Sequence, residues 1–210
     1  MLKRTQESIK IDGNLDELTW RNAPKSSPFW QSSPFDTAYT HVKTELAVAF
    51  DESNLYVSAK CFQKKEAYVV QSLKRDFGPG TTDLFAVLLD TYGDGQNAFS
   101  FSVSPLGVQR EGLIVNGNEF STDWDNRWFS ATQNFDEFYT VEIAIPFKTL
   151  RYRPAGENNE WGVNFLRFDQ SQNPAERSTW AFLPRFQMAI MPLLWANWFG
   201  KRRRRSPKRI

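Results

Sequence analysis

Apolar and polar residues alternate with a period of two along most of the chain, in short runs separated by turn residues. Because successive side chains of a strand point to opposite faces of a sheet, this alternation predicts β-strands with a buried face. A sustained period of 3.6 residues is missing, so we expect little helix. The predicted strands are residues 45–50, 55–62, 84–90, 98–104, 108–115, 128–133, 139–145, 162–168 and 179–183.

Turn residues separate these runs. Residues 51–54, 92–95, 105–107 and 134–137 are rich in Asp, Asn, Gly or Pro, which is typical of connections between antiparallel strands. Pro146 has no N–H to donate and is expected to end the strand before it. The pattern as a whole predicts an all-β fold, an antiparallel β-sandwich of the jelly-roll or immunoglobulin-like type.

One domain is predicted, because the composition is uniform until the chain's end. We assign residues 5–186 to the sandwich and residues 187–210 to an atypical tail, first apolar and then basic, which is disordered or the product of a truncation or frame shift. Around residues 12–34, a turn leads into Leu18 and Trp20. We expect this segment to form a clasp over one open end of the sandwich.

Charge is distributed unevenly along the chain. Seven of the 26 Lys and Arg lie between residues 201 and 209, so the other 19 face 24 Asp and Glu and the body carries about −5. A negative body does not suit the phosphate backbone, so no nucleic-acid partner is predicted for it. The basic tail either binds acidic lipid or nucleic acid, or is simply a disordered end.

Several features exclude whole classes of site. With one cysteine and one histidine, the chain has no disulfide framework, Cys-based zinc site or multi-histidine metal site. This sequence shows no signal peptide, and no apolar run reaches the roughly 20 residues of a transmembrane helix.

Four segments follow one another along the chain in a characteristic order and spacing. They are residues 11–17 (IDGNLDE) with Trp20, 47–51 (AVAFD) with 55–57, 83–90 (DLFAVLLD), and 141–147 (VEIAIPF). Together they resemble the family 9 carbohydrate-binding module-like domain, over residues 9 to about 186. Residues 99–109, 123–128 and 145–152 are similar to the form that precedes an outer-membrane barrel in bacterial surface proteins of uncertain function. The resemblance implies a β-sandwich, a role in sugar binding or at the cell surface, and a periplasmic or cell-surface location.

Sugar binding needs aromatic faces and planar polar side chains, and residues 123–128 supply both. Trp124, Asp125 and Arg127 are the first candidates, followed by Trp128. The alternative is that both indoles pack at the sandwich edge while Asp125 pairs with Arg127. Sugar-binding members of the family clamp the ligand between two Trp. The position of the first clamping Trp falls in residues 76–82, which hold no Trp, and Phe77 is the aromatic residue there. The candidates for the second clamping Trp are Trp180 and Trp195.

Metal and catalytic chemistry have weaker signals. Residues 90–97 resemble half of a calcium loop, yet the twelfth position is Phe101, where an EF-hand needs a bidentate Glu, and a hairpin turn explains the segment equally. No metal site and no required cofactor are predicted, with calcium left open. The acidic residues have no spacing that indicates a glycosidase pair, so no catalytic residue is predicted.

These observations predict a non-catalytic module that recognises a polysaccharide or oligosaccharide through a surface aromatic and polar site. One alternative is a structural domain associated with an outer-membrane barrel, outside this chain, that has lost sugar binding. Another is a part of a glycoside hydrolase. A binding module should expose a concave aromatic patch with converging polar groups, whereas a structural cap should expose a flat or convex apolar face.

Overall fold

A computed structural model describes residues 3–24, 26, 28–117, 119–152, 160–181 and 196–197. Helix in these residues is limited to α1 (Leu18–Arg21) and to 3₁₀ turns at Lys65–Ala67 and Phe147–Thr149, and no helix there is long and apolar enough to cross a membrane. The strands are β1 (Lys3–Arg4), β2 (Trp30–Ser33), β3 (Thr44–Phe50), β4 (Asn54–Phe62), β5 (Leu84–Asp90), β6 (Ala98–Val103), β7 (Gln109–Val115), β8 (Glu119–Ser121), β9 (Phe129–Asn134), β10 (Phe138–Pro146), β11 (Glu160–Asp169), β12 (Glu176–Thr179) and β13 (Ala196–Asn197).

The strands form two sheets that pack as a sandwich. The first sheet has the order β1-β3-β4-β10-β9, and the second has the order β2-β12-β11-β5-β6-β7-β8, with β13 also pairing with β11. Among the described pairs, only β1 with β3 is parallel. The predicted all-β antiparallel sandwich is confirmed.

Eight of the nine predicted strands are present with small shifts at their ends. The ninth was misplaced: β12 ends at Thr179, where the predicted strand 179–183 begins, and residues 182–183 lie outside the described part. Most of the predicted tail, 187–210, also lies outside it, apart from β13.

The core lies between the sheets, where the sequence alternation places it. Leu55 and Val57 on β4 point inward and are fully buried, and Phe85 and Val87 on β5 meet them from the second sheet. The residues that lie between these inward-pointing positions on each strand point to the outer face of their sheet.

The part of the N-terminal clasp that contains Trp20 covers the outer face of the first sheet and not an open end, so for this part the prediction is wrong; the later part forms β2 at the edge of the second sheet. Ile9 and Trp20 pack with Tyr56 and Ala144, on the side of β4 and β10 that faces away from the core. The physical reason is that these strands carry apolar residues on both faces, and an antiparallel sheet leaves only a polar face to solvent.

A buried carboxylate fastens the clasp to the sheet. One oxygen of Glu142 on β10, Oε2, accepts the backbone N–H groups of Gly13 (2.8 Å) and Asp12 (3.1 Å). The other, Oε1, accepts the indole N–H of Trp20 at 2.8 Å. Burial raises the pKa of Glu142 to about 7, while the three donors act to lower it. The attachment therefore titrates near neutral pH.

Replacing Gly13 with alanine should destabilise this contact. Gly13 has a φ of +86°, and an added Cβ would stand 2.7 Å from the backbone carbon of Thr132. We expect the free energy of unfolding to fall by about 2–3 kcal/mol, measured by urea titration. Gly117→Ala is the matched control, because Gly117 has a φ of +79° and nothing within 4 Å. Its cost should be about 1 kcal/mol, and equal costs for the two variants would contradict the close approach.

A charged side chain is buried within the sandwich. Arg167 on β11 is 1% exposed. Its guanidinium donates to the carbonyl oxygens of Lys43 (3.0 Å) and Phe62 (2.8 Å), and to side-chain oxygens of Thr44 and Gln63 (both 3.2 Å). Arg167 thus links an inner strand of the second sheet to the ends of β3 and β4.

Candidate functional site

Residues 123–128, the predicted sugar-binding segment, lead from β8 in the second sheet to β9 in the first. The half-buried ring of Trp124 lies 4.8 Å from the ring of Phe99 and 5.7 Å from that of Phe101, centroid to centroid. Trp128 is 4% exposed and meets Phe101 edge-on at 5.3 Å. Both indoles therefore pack against the core, and Trp124 alone keeps some exposed surface.

Asp125 and Arg127 do not pair with each other, so the second part of that alternative is wrong, although its first part, the packing of both indoles, is observed. Asp125 Oδ1 lies 3.5 Å from Arg75 Nη2, and the same guanidinium forms an ion pair with the buried carboxylate of Glu111. Trp128 Nε1 donates to the other oxygen of Glu111 at 3.2 Å. Burial raises the pKa of Glu111, and the hydrogen bonds from Arg75 and Trp128 oppose that rise. This chain of contacts has a structural role.

Phe77 and Trp180 do not join the segment. Phe77 is 4% exposed and packs with Leu84 on the outer face of the second sheet. Trp180 follows β12, and its half-buried ring lies 5.7 Å from that of Phe165. Trp195 lies outside the described residues. The structure thus keeps four of the six predicted site residues in one segment and places the other two elsewhere.

A pocket of about 680 Å³ opens beside the start of β9. This volume falls within the range of roughly 300–1,000 Å³ that is typical of small-molecule sites. Its aromatic wall is formed by Phe129, Phe147 and Tyr152, and Phe129 is 43% exposed. We call it the end pocket; it is lined by Glu52, Ser53, Asn54, Arg127, Phe129, Pro146, Phe147, Lys148, Leu150 and Tyr152.

Strand register brings the walls of the end pocket together. Asn54 at the start of β4 is opposite Pro146 at the end of β10, and Phe129 at the start of β9 is opposite Ala144. The 3₁₀ turn that begins at Phe147 then carries the chain along the pocket. Three segments far apart in sequence therefore meet at one end of the first sheet.

Three of the described residues that line the end pocket are charged. The guanidinium of Arg127 lies over the Phe129 ring, 5.2 Å from its centroid. Lys148 is exposed, and in the part of the chain that the structure describes neither cation has an ion-pair partner. Glu52 is already engaged, since its Oε1 accepts from Arg4 Nη2 at 2.8 Å.

The loop considered for calcium has its main carboxylate occupied. Asp90 Oδ1 accepts the backbone N–H of Gly93 at 2.7 Å, and Oδ2 accepts that of Gly95 at 2.8 Å, with weaker contacts from Tyr92 and Asp94. These bonds favour the hairpin-turn interpretation. Across the described ranges, no group of three or more His, Cys, Asp or Glu is arranged to hold a metal ion. Calcium binding stays an untested prediction.

Sequence reasoning found Arg127 but missed Phe129, Lys148 and Tyr152 as its neighbours. The conspicuous segment 145–152 contains two of them, so a local signal existed. It did not show that they share a pocket with Phe129, because this depends on the pairing of β9 with β10.

The residues that form the fold and the end pocket lie within a known family pattern. Residues 11–183 match the family model described as carbohydrate family 9 binding domain-like. The chain belongs to this family. The resemblance seen in the sequence is thereby confirmed at family level. No curated protein matches this family 9-like domain.

Solved structures of low sequence identity share the fold of the family 9-like domain. A family 9 carbohydrate-binding module from Caldicellulosiruptor kristjanssonii in complex with glucose has a TM-score of 0.63 at 17% identity, covering 98% of both chains. A family 9 module from the same organism in complex with cellotriose has a TM-score of 0.58 at 16% identity, covering 85% of this chain and 82% of that one. A protein from Bacteroides uniformis ATCC 8492 has a TM-score of 0.66 at 12% identity, covering 92% and 94%.

Proposed function

We propose that this family 9-like domain is a non-catalytic module that binds a polysaccharide or oligosaccharide in the end pocket. The observation that carries the proposal is a concave site with an aromatic wall and the planar donor group of Arg127 beside it. Aromatic faces pack against the C–H groups of a sugar ring, and guanidinium N–H groups donate to its oxygens. The glucose and cellotriose held by the family 9 modules of similar fold support this ligand class.

The carboxylates support a non-catalytic role. Asp83 accepts the backbone N–H groups of Gln170 (2.6 Å) and Val69 (2.8 Å) and the amide of Gln63 (2.8 Å). Glu142 is engaged by the clasp in the same way. A glycosidase needs two carboxylates across the scissile bond, and among the described residues that line the end pocket Glu52 is the one carboxylate.

Replacing Phe129 with alanine should weaken glycan binding by about five- to thirtyfold, because stacking on an exposed ring contributes roughly 1–2 kcal/mol. The measurement is calorimetric titration of the full chain with cello-, xylo- and uronic-acid oligosaccharides. Phe135→Ala is the matched control, since Phe135 is also 43% exposed but lies outside the pocket. Equal losses in both variants would remove the end pocket from the proposal.

The second candidate function is a structural domain of a periplasmic or cell-surface protein, associated with an outer-membrane barrel. The burial of Phe77 favours it, because residues 76–82, where the resemblance to the family implies a stacking Trp, then present no exposed aromatic side chain. The same titration separates the two functions. A folded chain that binds none of the oligosaccharides would support the structural role.

A further inference from the structure

The end pocket is lined by two cations, although the domain as a whole is negatively charged. Residues 1–200 carry a formal net charge of about −5. An exposed cation on this part of the chain therefore has many acidic residues available as neighbours. Arg127 and Lys148 nevertheless line the same pocket, and the described residues provide neither with an ion-pair partner. Two unneutralised cations in one concavity create a local positive potential.

The lining carboxylate does not cancel this potential. Glu52 Oε1 accepts from Arg4 Nη2 at 2.8 Å, so the charge of Glu52 is balanced from outside the lining. Asp51, the preceding residue, turns its carboxylate to the backbone N–H groups of Ser53 (2.6 Å) and Asn54 (2.7 Å) and to the hydroxyl of Tyr56 (2.8 Å). The pocket therefore keeps an excess of positive charge.

The two cations suit an oxyanion on a ring. A guanidinium holds its N–H donors in one plane, where they can donate to two oxygens of one carboxylate or sulfate. Lysine adds a mobile ammonium that adapts to the position of the charge. Neutral hydroxyls would leave both cations without a counter-charge.

We propose that the end pocket selects an acidic sugar residue, one that carries a carboxylate or a sulfate. This inference rests on the proposed function, because it names the glycan class of the same site. Phe129 supplies the stacking face, and Arg127 and Lys148 bind the anionic group.

The test compares galacturonate trisaccharide with its methyl ester, which has the same rings without the charge. A sulfated disaccharide forms a third arm and distinguishes sulfate from carboxylate. Each is titrated into the full chain and into Arg127→Gln/Lys148→Gln. The matched control is Lys64→Gln/Lys74→Gln, which removes two exposed cations outside the pocket and keeps the same net charge as the pocket variant.

We expect the free acid, the sulfated sugar or both to bind at least about tenfold more tightly than the ester, to weaken at high salt, and to lose about tenfold or more in the pocket variant. The control should bind like the parent chain. An ester that binds as tightly as both anionic sugars would overturn the inference and leave the proposed function intact. If the pocket variant and the control lose the same affinity for the anionic sugars, anion binding depends on the overall charge of the chain. That result would also overturn the inference. If no oligosaccharide binds, the proposed function itself fails.

Discussion

Replacing Arg167 with methionine will lower the free energy of unfolding by about 3–5 kcal/mol, the range for removing one partner from a buried charged network. Methionine fills much of the apolar volume, but it leaves the carbonyls of Lys43 and Phe62 without their donor. The carboxylates of Asp83 and Asp169, both buried, also lose the cation that interacts with them. Urea titration at pH 7 measures the loss.

The matched control is Arg177→Met on the adjacent strand. Arg177 is exposed, and its guanidinium lies 4.9 Å from the centroid of the Phe168 ring. An exposed contact of this kind contributes less than about 1 kcal/mol. Arg167→Lys should recover only part of the loss, because an ammonium cannot reproduce the planar set of donors. If both methionine variants cost the same, the buried cluster does not stabilise the sandwich.

Replacing Glu142 with glutamine will remove a pH-dependent loss of stability. Burial raises the pKa of Glu142 to about 7 from its ordinary value of 4.5, so between these values the folded chain holds more protons than the unfolded chain. Stability is therefore fully present below about pH 4.5 and falls as the pH rises through 7, by about 3 kcal/mol in total. Glutamine cannot ionise, but it has one accepting oxygen where the carboxyl group has two, so the variant carries a pH-independent cost from the donor that its NH₂ group faces.

We expect the stability of Glu142→Gln relative to the parent to rise by about 3 kcal/mol between pH 4.5 and pH 8. Urea titrations across this range measure the difference. Glu66→Gln removes one exposed carboxylate and reports the general effect of net charge. A difference between parent and Glu142→Gln that stays constant with pH would show that the clasp does not depend on this proton.

Much of the fold could be predicted, because strand alternation is a local property of the sequence. Residues 98–104 show it clearly, with Phe99, Phe101 and Val103 separated by serines, and β6 spans Ala98–Val103. The elements that were missed are short. In β2 and β8 the pattern is too brief to detect, and these strands form because β12 and β7 offer them partners. The single turn of α1 is too short to show a helical period.

The candidate site depended more on tertiary structure. From the sequence alone, the aromatic side chains of Trp124, Trp128 and Phe77 are equally suitable for stacking on a sugar. In the structure, Trp128 is buried in the core and Phe77 is buried on the outer face of the second sheet. Aromatic rings bury themselves as readily as they bind sugars, and only the three-dimensional neighbours separate the two outcomes.

The alternation, the turns and the family pattern were thus contained in the sequence, because each depends on residues close together in the chain or on their order. The end pocket was not. Arg127, Lys148 and Glu52 become neighbours through the pairing of β10 with β4 and with β9, and no local pattern records which strands will pair. Register between distant strands is set by the burial of the whole sheet face, and for that reason only the folded chain shows the pocket and its charge.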